Sequence, residues 1–203
     1  MIQYKKMPRG GFMYNIEKSG TKFEIANFPW DKTGYTPKAI VTVGYDEGGF
    51  KVHFDAYETN LLMNHTEHNT FVCMDSCVEF FMQYVPEITE DYINIEINPI
   101  GTAYCAQTRG PDAVKFIPPE LIETLNIKAQ IFDDHWEVDY YISESFIQYI
   151  FPEYKHKEGN ILKGNFYKCS DTKEIRHYGC FNRIGTENPN MHATEYFAEF
   201  KLV

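Results

Sequence analysis

Polar and apolar residues alternate along several stretches of the chain. Lys51-Val52-His53-Phe54-Asp55-Ala56-Tyr57 does so, as does Tyr92-Ile93-Asn94-Ile95-Glu96-Ile97-Asn98. Trp136-Glu137-Val138-Asp139-Tyr140-Tyr141-Ile142 repeats the pattern, and Tyr196-Phe197-Ala198-Glu199-Phe200-Lys201-Leu202 ends on it. A period of two puts alternate side chains on opposite faces of a sheet, so each segment predicts a strand with one wet face. Continuous apolar runs at residues 39–43 and 78–82 predict strands nearer the core. Turn residues separate the runs. Asp46-Glu47-Gly48-Gly49 and Asp133-Asp134 predict hairpins, and Pro99-Ile100-Gly101 a further turn. Ser143-Glu144-Ser145 offers a helix start that Pro152 limits, and another helical turn begins near Pro118-Pro119-Glu120. Many short strands with one or two short helices, and no linker or repeat, predict one all-β domain over residues 1–203. Its architecture would be an antiparallel β-sandwich of jelly-roll or immunoglobulin-like type.

Composition agrees. The 16 Phe and 15 Tyr suit pleated, half-buried surfaces, and 203 residues can bury a core without disulfides or metals. A net charge of −10, with no basic run beyond Lys155-His156-Lys157, argues against nucleic acid and against anionic membranes as partners. The 5 cysteines are an odd number, which favours free thiols in a reducing compartment. Cys73 and Cys77 lie in a segment read as extended, where four residues span about 13 Å, too far for a disulfide. The opening residues 1–6 show no apolar signal-type run, and no 18-residue apolar stretch occurs. The protein is therefore read as cytoplasmic, or as extracellular where a leader has been removed.

Catalytic motifs are absent: the sequence holds no Gly-rich phosphate loop, nucleophile elbow or H-E-x-x-H helix. The 7 His are scattered, and His192 and Glu195 precede a strand rather than sharing a helical face. Asp75, Glu79 and Glu96 are the carboxylates that a glycosidase would need to oppose at a defined separation, but carboxylates on strands more often face solvent. Asp75-Ser76 reads as a turn-stabilising pair bonded to nearby amides. No cofactor is called from these residues, and the reading is not an enzyme.

One ordered set of segments goes further. Met74-Asp75-Ser76-Cys77-Val78-Glu79-Phe80-Phe81 is followed downstream by Asn165-Phe166-Tyr167-Lys168-Cys169, by His177-Tyr178, and by Asn188-Pro189-Asn190-Met191-His192 with Glu195-Tyr196-Phe197. Together these resemble the stand-alone branch of the family 9 carbohydrate-binding modules, over residues 39–203. The resemblance implies an antiparallel β-sandwich that binds a saccharide or related polyol without catalysis. Members hold the sugar between two tryptophans while charged and amide side chains grip its hydroxyls. A pyranose presents an apolar C–H face that stacks on an aromatic plane, and hydroxyls that suit bidentate partners.

At the two clamp positions this chain has Cys73 and Phe181, so both tryptophans are missing, with Phe71 a neighbour that could substitute. The resemblance assigns hydroxyl contacts to Glu79, to Asn182 and Arg183 beside Phe181, and to Arg109 in the loop after Cys105. The expected cleft joins residues 71–75, Glu79, residues 104–109 and residues 178–183. Structural calcium occurs in the family, but its ligands are not placed here. Against these roles stand plainer ones: Glu79 solvated, Phe181 and Trp136 in the core, and Trp30 capping the sandwich. Two other functions are weighed. A sandwich that has lost its sugar site could serve a protein partner. A haem-binding domain would use Met74 with His192, or Met63 with His177, as axial ligands.

Overall fold

The computed structural model describes residues 5–6 and 12–203; residues 1–4, part of the segment read for a leader, lie outside these. Fourteen strands run through the described residues. In chain order they are β1 (Lys5–Lys6), β2 (Phe12–Ile16), β3 (Thr21–Ile25), β4 (Ala39–Tyr45), β5 (Gly49–Ala56), β6 (Cys77–Gln83) and β7 (Tyr92–Ile97). There follow β8 (Ala103–Arg109), β9 (Asp112–Phe116), β10 (Lys128–Ile131), β11 (Trp136–Ser143), β12 (Ile161–Ser170), β13 (His177–Cys180) and β14 (Ala198–Leu202). One sheet runs β1-β2-β14-β12-β6-β7-β8-β9, with β13 also on β12, and the other runs β10-β11-β5-β4-β3. All pairings are antiparallel except β2 with β14. The sandwich is as predicted.

The predicted hairpins and turn join β4 to β5, β10 to β11 and β7 to β8. The helices are α1 (Pro119–Ile122) and α2 (Glu144–Gln148). Proline suits the first turn of α1, where its missing N–H has no partner to lose. The Ser143 hydroxyl accepts from the Phe146 amide and caps α2. No helix among the described residues is long and apolar enough to cross a membrane.

Between the sheets, Val41, Phe54, Trp136, Val138, Phe80, Ile95, Phe166 and Phe200 form one core. Its aromatic end is a cluster of Tyr14, Phe23, Phe166, Phe181 and Phe200 with ring centroids about 5–6 Å apart. Gly164 marks a close approach of strands, opposite Met82 of β6 and Ala198 of β14. A Cβ there would lie 2.3 Å from the Phe81 carbonyl oxygen and 2.7 Å from the Met82 sulfur. Gly164→Ala should therefore lower stability by about 2 kcal/mol or more, because the backbone of the central strand pair must shift. Urea unfolding checks this, and a change within about 0.5 kcal/mol would mean that the strands part freely.

Two expectations need correction here. Residues 73–77 are not all extended, because Val72–Met74 forms a 3-10 turn before β6. Nor does β7 have a wet face: every one of its residues is buried, as is every residue of β6, the strand expected nearer the core. The segment after β13 folds over their outer side, bringing Ile184, Ala193 and Phe197 against Phe81, Tyr92 and Tyr167. Tyr167 donates to the Met191 carbonyl at 2.8 Å, which fastens this cover down.

Candidate functional site

Strand alternation sets the outer face of the larger sheet. Cys77, Glu79 and Phe81 alternate away from the core residues Val78, Phe80 and Met82. Register then places Glu79 opposite Glu96 of β7 on one side and opposite Tyr167 of β12 on the other. Glu96 in turn sits opposite Tyr104 of β8. Cys77 lies opposite Cys169. Two carboxylates and two thiols thus share one patch of sheet. Around it Cys73, Tyr104, Tyr178 and Met191, all half-buried, pack against Val72, Cys77 and Cys169.

Glu79 is 2% exposed and Glu96 is 7% exposed. The Cys169 thiol donates to Glu79 Oε1 at 2.8 Å, while Glu79 Oε2 has no hydrogen-bond partner among the described residues. Asn94 donates to Glu96 Oε1 at 2.9 Å. Burial pushes the Glu79 carboxyl well above its ordinary range, and the neighbouring Glu96 charge adds to it. Burial also raises Glu96, against the opposing effect of Asn94. Two like charges side by side away from water disfavour double ionisation, so the pair holds a proton. Burial raises the Cys73 thiol and lifts Cys77 to about 11, so both are protonated at neutral pH.

The other expected site residues are not all brought to this patch. Cys73 is, and Phe71, in the same turn, is 72% exposed. Phe181 is not: its ring lies in the aromatic end of the inter-sheet core, so the clamp role expected of it gives way to packing. Asn182 spends its side chain on the Tyr196 carbonyl at 2.7 Å, and its amide donates to Asn165. Arg183 is exposed. Arg109 ends strand β8 rather than sitting in a loop, and grips Asp91 through Nε at 2.6 Å and Nη2 at 2.9 Å.

Sequence reasoning placed Tyr104 and Tyr178 only at loop ends. The signal available for them was register, since each is one strand away from a residue already singled out. Tyr178 donates to Asp171 and has Trp30 edge-on at 6.3 Å. Trp30 Nε1 donates to the Thr186 carbonyl at 2.8 Å, tying the early loop to the late one. Asp75 takes the structural role read for it. It accepts from the Asn64 and His65 amides at 2.9 and 3.0 Å and from Asn98 at 3.0 Å. Burial would raise its carboxyl, but these donors outweigh it and hold the group below its ordinary range.

His177 uses both ring nitrogens inside the fold, with Lys168 and with the Ile175 carbonyl, which leaves neither for an axial bond to iron. His192 stacks on Phe81 at 5.3 Å and meets the Tyr92 hydroxyl at 2.5 Å. Open grooves lie elsewhere. One of about 380 Å³ on the outer face of the smaller sheet is lined by residues including Thr42, Lys51, His53, Asp139 and Tyr141. The carboxylate pair is capped by its neighbours rather than lying in such a groove.

Comparison with known proteins gives the context for this patch. A candidate carbohydrate-binding protein from Bacteroides uniformis is 21% identical, with a TM-score of 0.80 over 91% of this chain and 87% of that one. A family 9 carbohydrate-binding module from Caldicellulosiruptor kristjanssonii, solved with glucose, is 14% identical with a TM-score of 0.62, covering 89% and 83% of the two chains. The module from the same organism solved with cellotriose is 13% identical with a TM-score of 0.63, covering 93% and 92%. At these identities the likeness is one of fold. No curated protein matches the chain in sequence. The sequence profile described as carbohydrate-binding family 9 matches residues 13–202. The chain belongs to carbohydrate-binding family 9.

Proposed function

We propose that the protein binds a saccharide, without catalysis, at the patch where Tyr104, Tyr178 and Met191 cover Glu96 and Glu79. The observation that carries this reading is the pair of buried, adjacent carboxylates beneath half-buried tyrosines. Glu96 is the outer carboxylate and takes the sugar hydroxyls, and Glu79 backs it. Tyr104 and Tyr178 supply the apolar planes in place of the absent tryptophans. A phenol offers less stacking area than an indole, so affinity should be weaker by about 1 kcal/mol per ring lost. The absence of catalysis is supported by Glu79 itself. At 2% exposure and bonded by Cys169, it cannot reach a glycosidic oxygen or an attacking water.

Family members are recorded with glucose and with cellotriose, so these are the first ligands to titrate. Calorimetry with glucose and cello-oligosaccharides should show saturable binding. Glu96→Gln should weaken it roughly 10- to 100-fold, the equivalent of a charge-assisted hydrogen bond worth about 1.5–3 kcal/mol. Tyr178→Phe should bind nearly as wild type and Tyr178→Ala should not. Equal binding by wild type and Glu96→Gln would place the sugar elsewhere. No binding at millimolar sugar would leave the family fold without its function.

A further inference from the structure

We propose that Cys77, Cys169 and Glu79 form a site for one thiophilic divalent cation of the zinc class. The proposal goes beyond the saccharide reading and shares only Glu79 with it. The geometry comes from three facts of the sheet. Cys77 and Glu79 are alternate residues of β6 and so point to one face, and Cys169 stands opposite Cys77 on β12. Their two sulfurs and a carboxylate oxygen all lie within 4.8 Å of one another, and all three residues are buried. In a tetrahedral zinc site, bonds of about 2.3 Å to sulfur and about 2.0–2.2 Å to oxygen bring ligand atoms within this range of each other.

A second observation points to a missing partner. Glu79 Oε2 is shut away from water and accepts no hydrogen bond from the described residues, a costly arrangement for a carboxyl oxygen unless something else occupies it. The donor set decides the class. Two thiols and one carboxylate suit zinc, cadmium or cobalt, whereas calcium and magnesium require oxygen donors throughout. On loading, the two thiol protons and the carboxyl proton leave for solvent, and the metal takes the three anionic donors. Three protein ligands leave a fourth position open. Cys73, packed against the same cluster from the turn before β6, is a further donor close by.

Titration of the reduced, metal-free protein with cobalt(II) tests this, because thiolate coordination gives near-ultraviolet charge-transfer bands and a tetrahedral site gives visible d–d bands. One equivalent should produce both, and added zinc should bleach them. The Cys77→Ser/Cys169→Ser variant should lose both sets, while Cys105→Ala, in the inter-sheet core, should keep them. Should the double variant fail to fold, the wild type decides the matter by itself. Zinc should raise its melting temperature relative to chelator-treated protein, and calcium should not. Absence of charge-transfer bands in the wild type, or their persistence in a folded double variant, would overturn the site. A glucose titration on the same metal-free protein keeps the two readings apart: sugar binding without cobalt bands removes only the metal, and the reverse removes only the sugar.

Discussion

Glu58→Ala is expected to cost about 3–5 kcal/mol of stability, a large share of what holds a domain of ordinary stability folded. Lys168 alternates inward from β12 and is buried to its end, with its ammonium 2.7 Å from Glu58 Oε2. The other two donors of that ammonium go to His177 Nε2 at 2.8 Å and the Cys169 carbonyl at 3.2 Å. Tyr35 donates to the second Glu58 oxygen at 3.0 Å. Burial would raise the Glu58 carboxyl, but the Lys168 charge outweighs it and holds it low, which marks the pair as ionised. Removing the carboxylate leaves a cation in the core 5.8 Å from the Trp136 ring, with no counter-charge. The double replacement Glu58→Leu/Lys168→Met should recover most of the loss, because the desolvation cost disappears along with the attraction. Urea midpoints measure both variants; a single-variant loss under about 1 kcal/mol would show that the ammonium reaches water.

The same cluster sets an acid limit on the fold. His177 accepts from Lys168 through Nε2 and donates from Nδ1 to the Ile175 carbonyl at 2.6 Å, so its neutral form fits and its charged form would set an N–H against an ammonium. Burial first, and then Lys168, drop its pKa from 6.5 to about 3. Between these two values the unfolded chain holds a proton that the folded chain refuses. Stability from this group is therefore complete above about pH 6.5 and is lost as pH falls, by up to about 1.4 kcal/mol per unit. Burial lowers His156 and His192 as well and adds to the slope, whereas His53, raised by Asp139 and Asp55 against its own burial, and the carboxyls of Glu79 and Glu96, both raised by burial, work in the opposite direction. Relative to His177→Gln, the urea midpoint of wild type should therefore lose ground between pH 7, 6 and 5 by up to about one proton's worth. An equal pH dependence in the two proteins would show that His177 takes up its proton freely in the fold.

This cluster also shows where sequence reading stops. Residues 58, 168 and 177 come from a loop after β5, from β12 and from β13, and no local pattern links them. Strands such as Gly49–Ala56 and Trp136–Ser143 were legible because alternation records the contrast between a core face and its opposite. The same alternation misled at Tyr92–Ile97. It reports that Asn94 and Glu96 avoid the core, but cannot report that residues 181–197 will roof them. The family resemblance singles out Glu79 and Cys73 by position along the chain, and the fold brings both to one patch of sheet. Phe181 failed by the same route: a residue at the clamp position can turn into the core, and only the neighbouring rings Phe23 and Phe200 reveal which way it points. Arg109 was read as free to contact a sugar because Asp91, its partner, lies 18 residues earlier and across a strand pair.

The parallel pairing of β2 with β14 bears on how the chain assembles. Leu202 lies opposite Ile16, the Val203 amide donates to the Ile16 carbonyl at 3.0 Å, and Tyr45 reaches the Val203 carbonyl at the same distance. β14 is also the neighbour on which β12 depends along residues 161–164. A contact spanning some 185 residues closes a very large loop before it returns any energy. Nucleation should therefore fall to the local hairpins β4-β5, β6-β7 and β10-β11, with the larger sheet completed last. During synthesis the edge of β12 stays unpaired until the final strand emerges, and in that interval the protein is most open to strand exchange with another copy of itself.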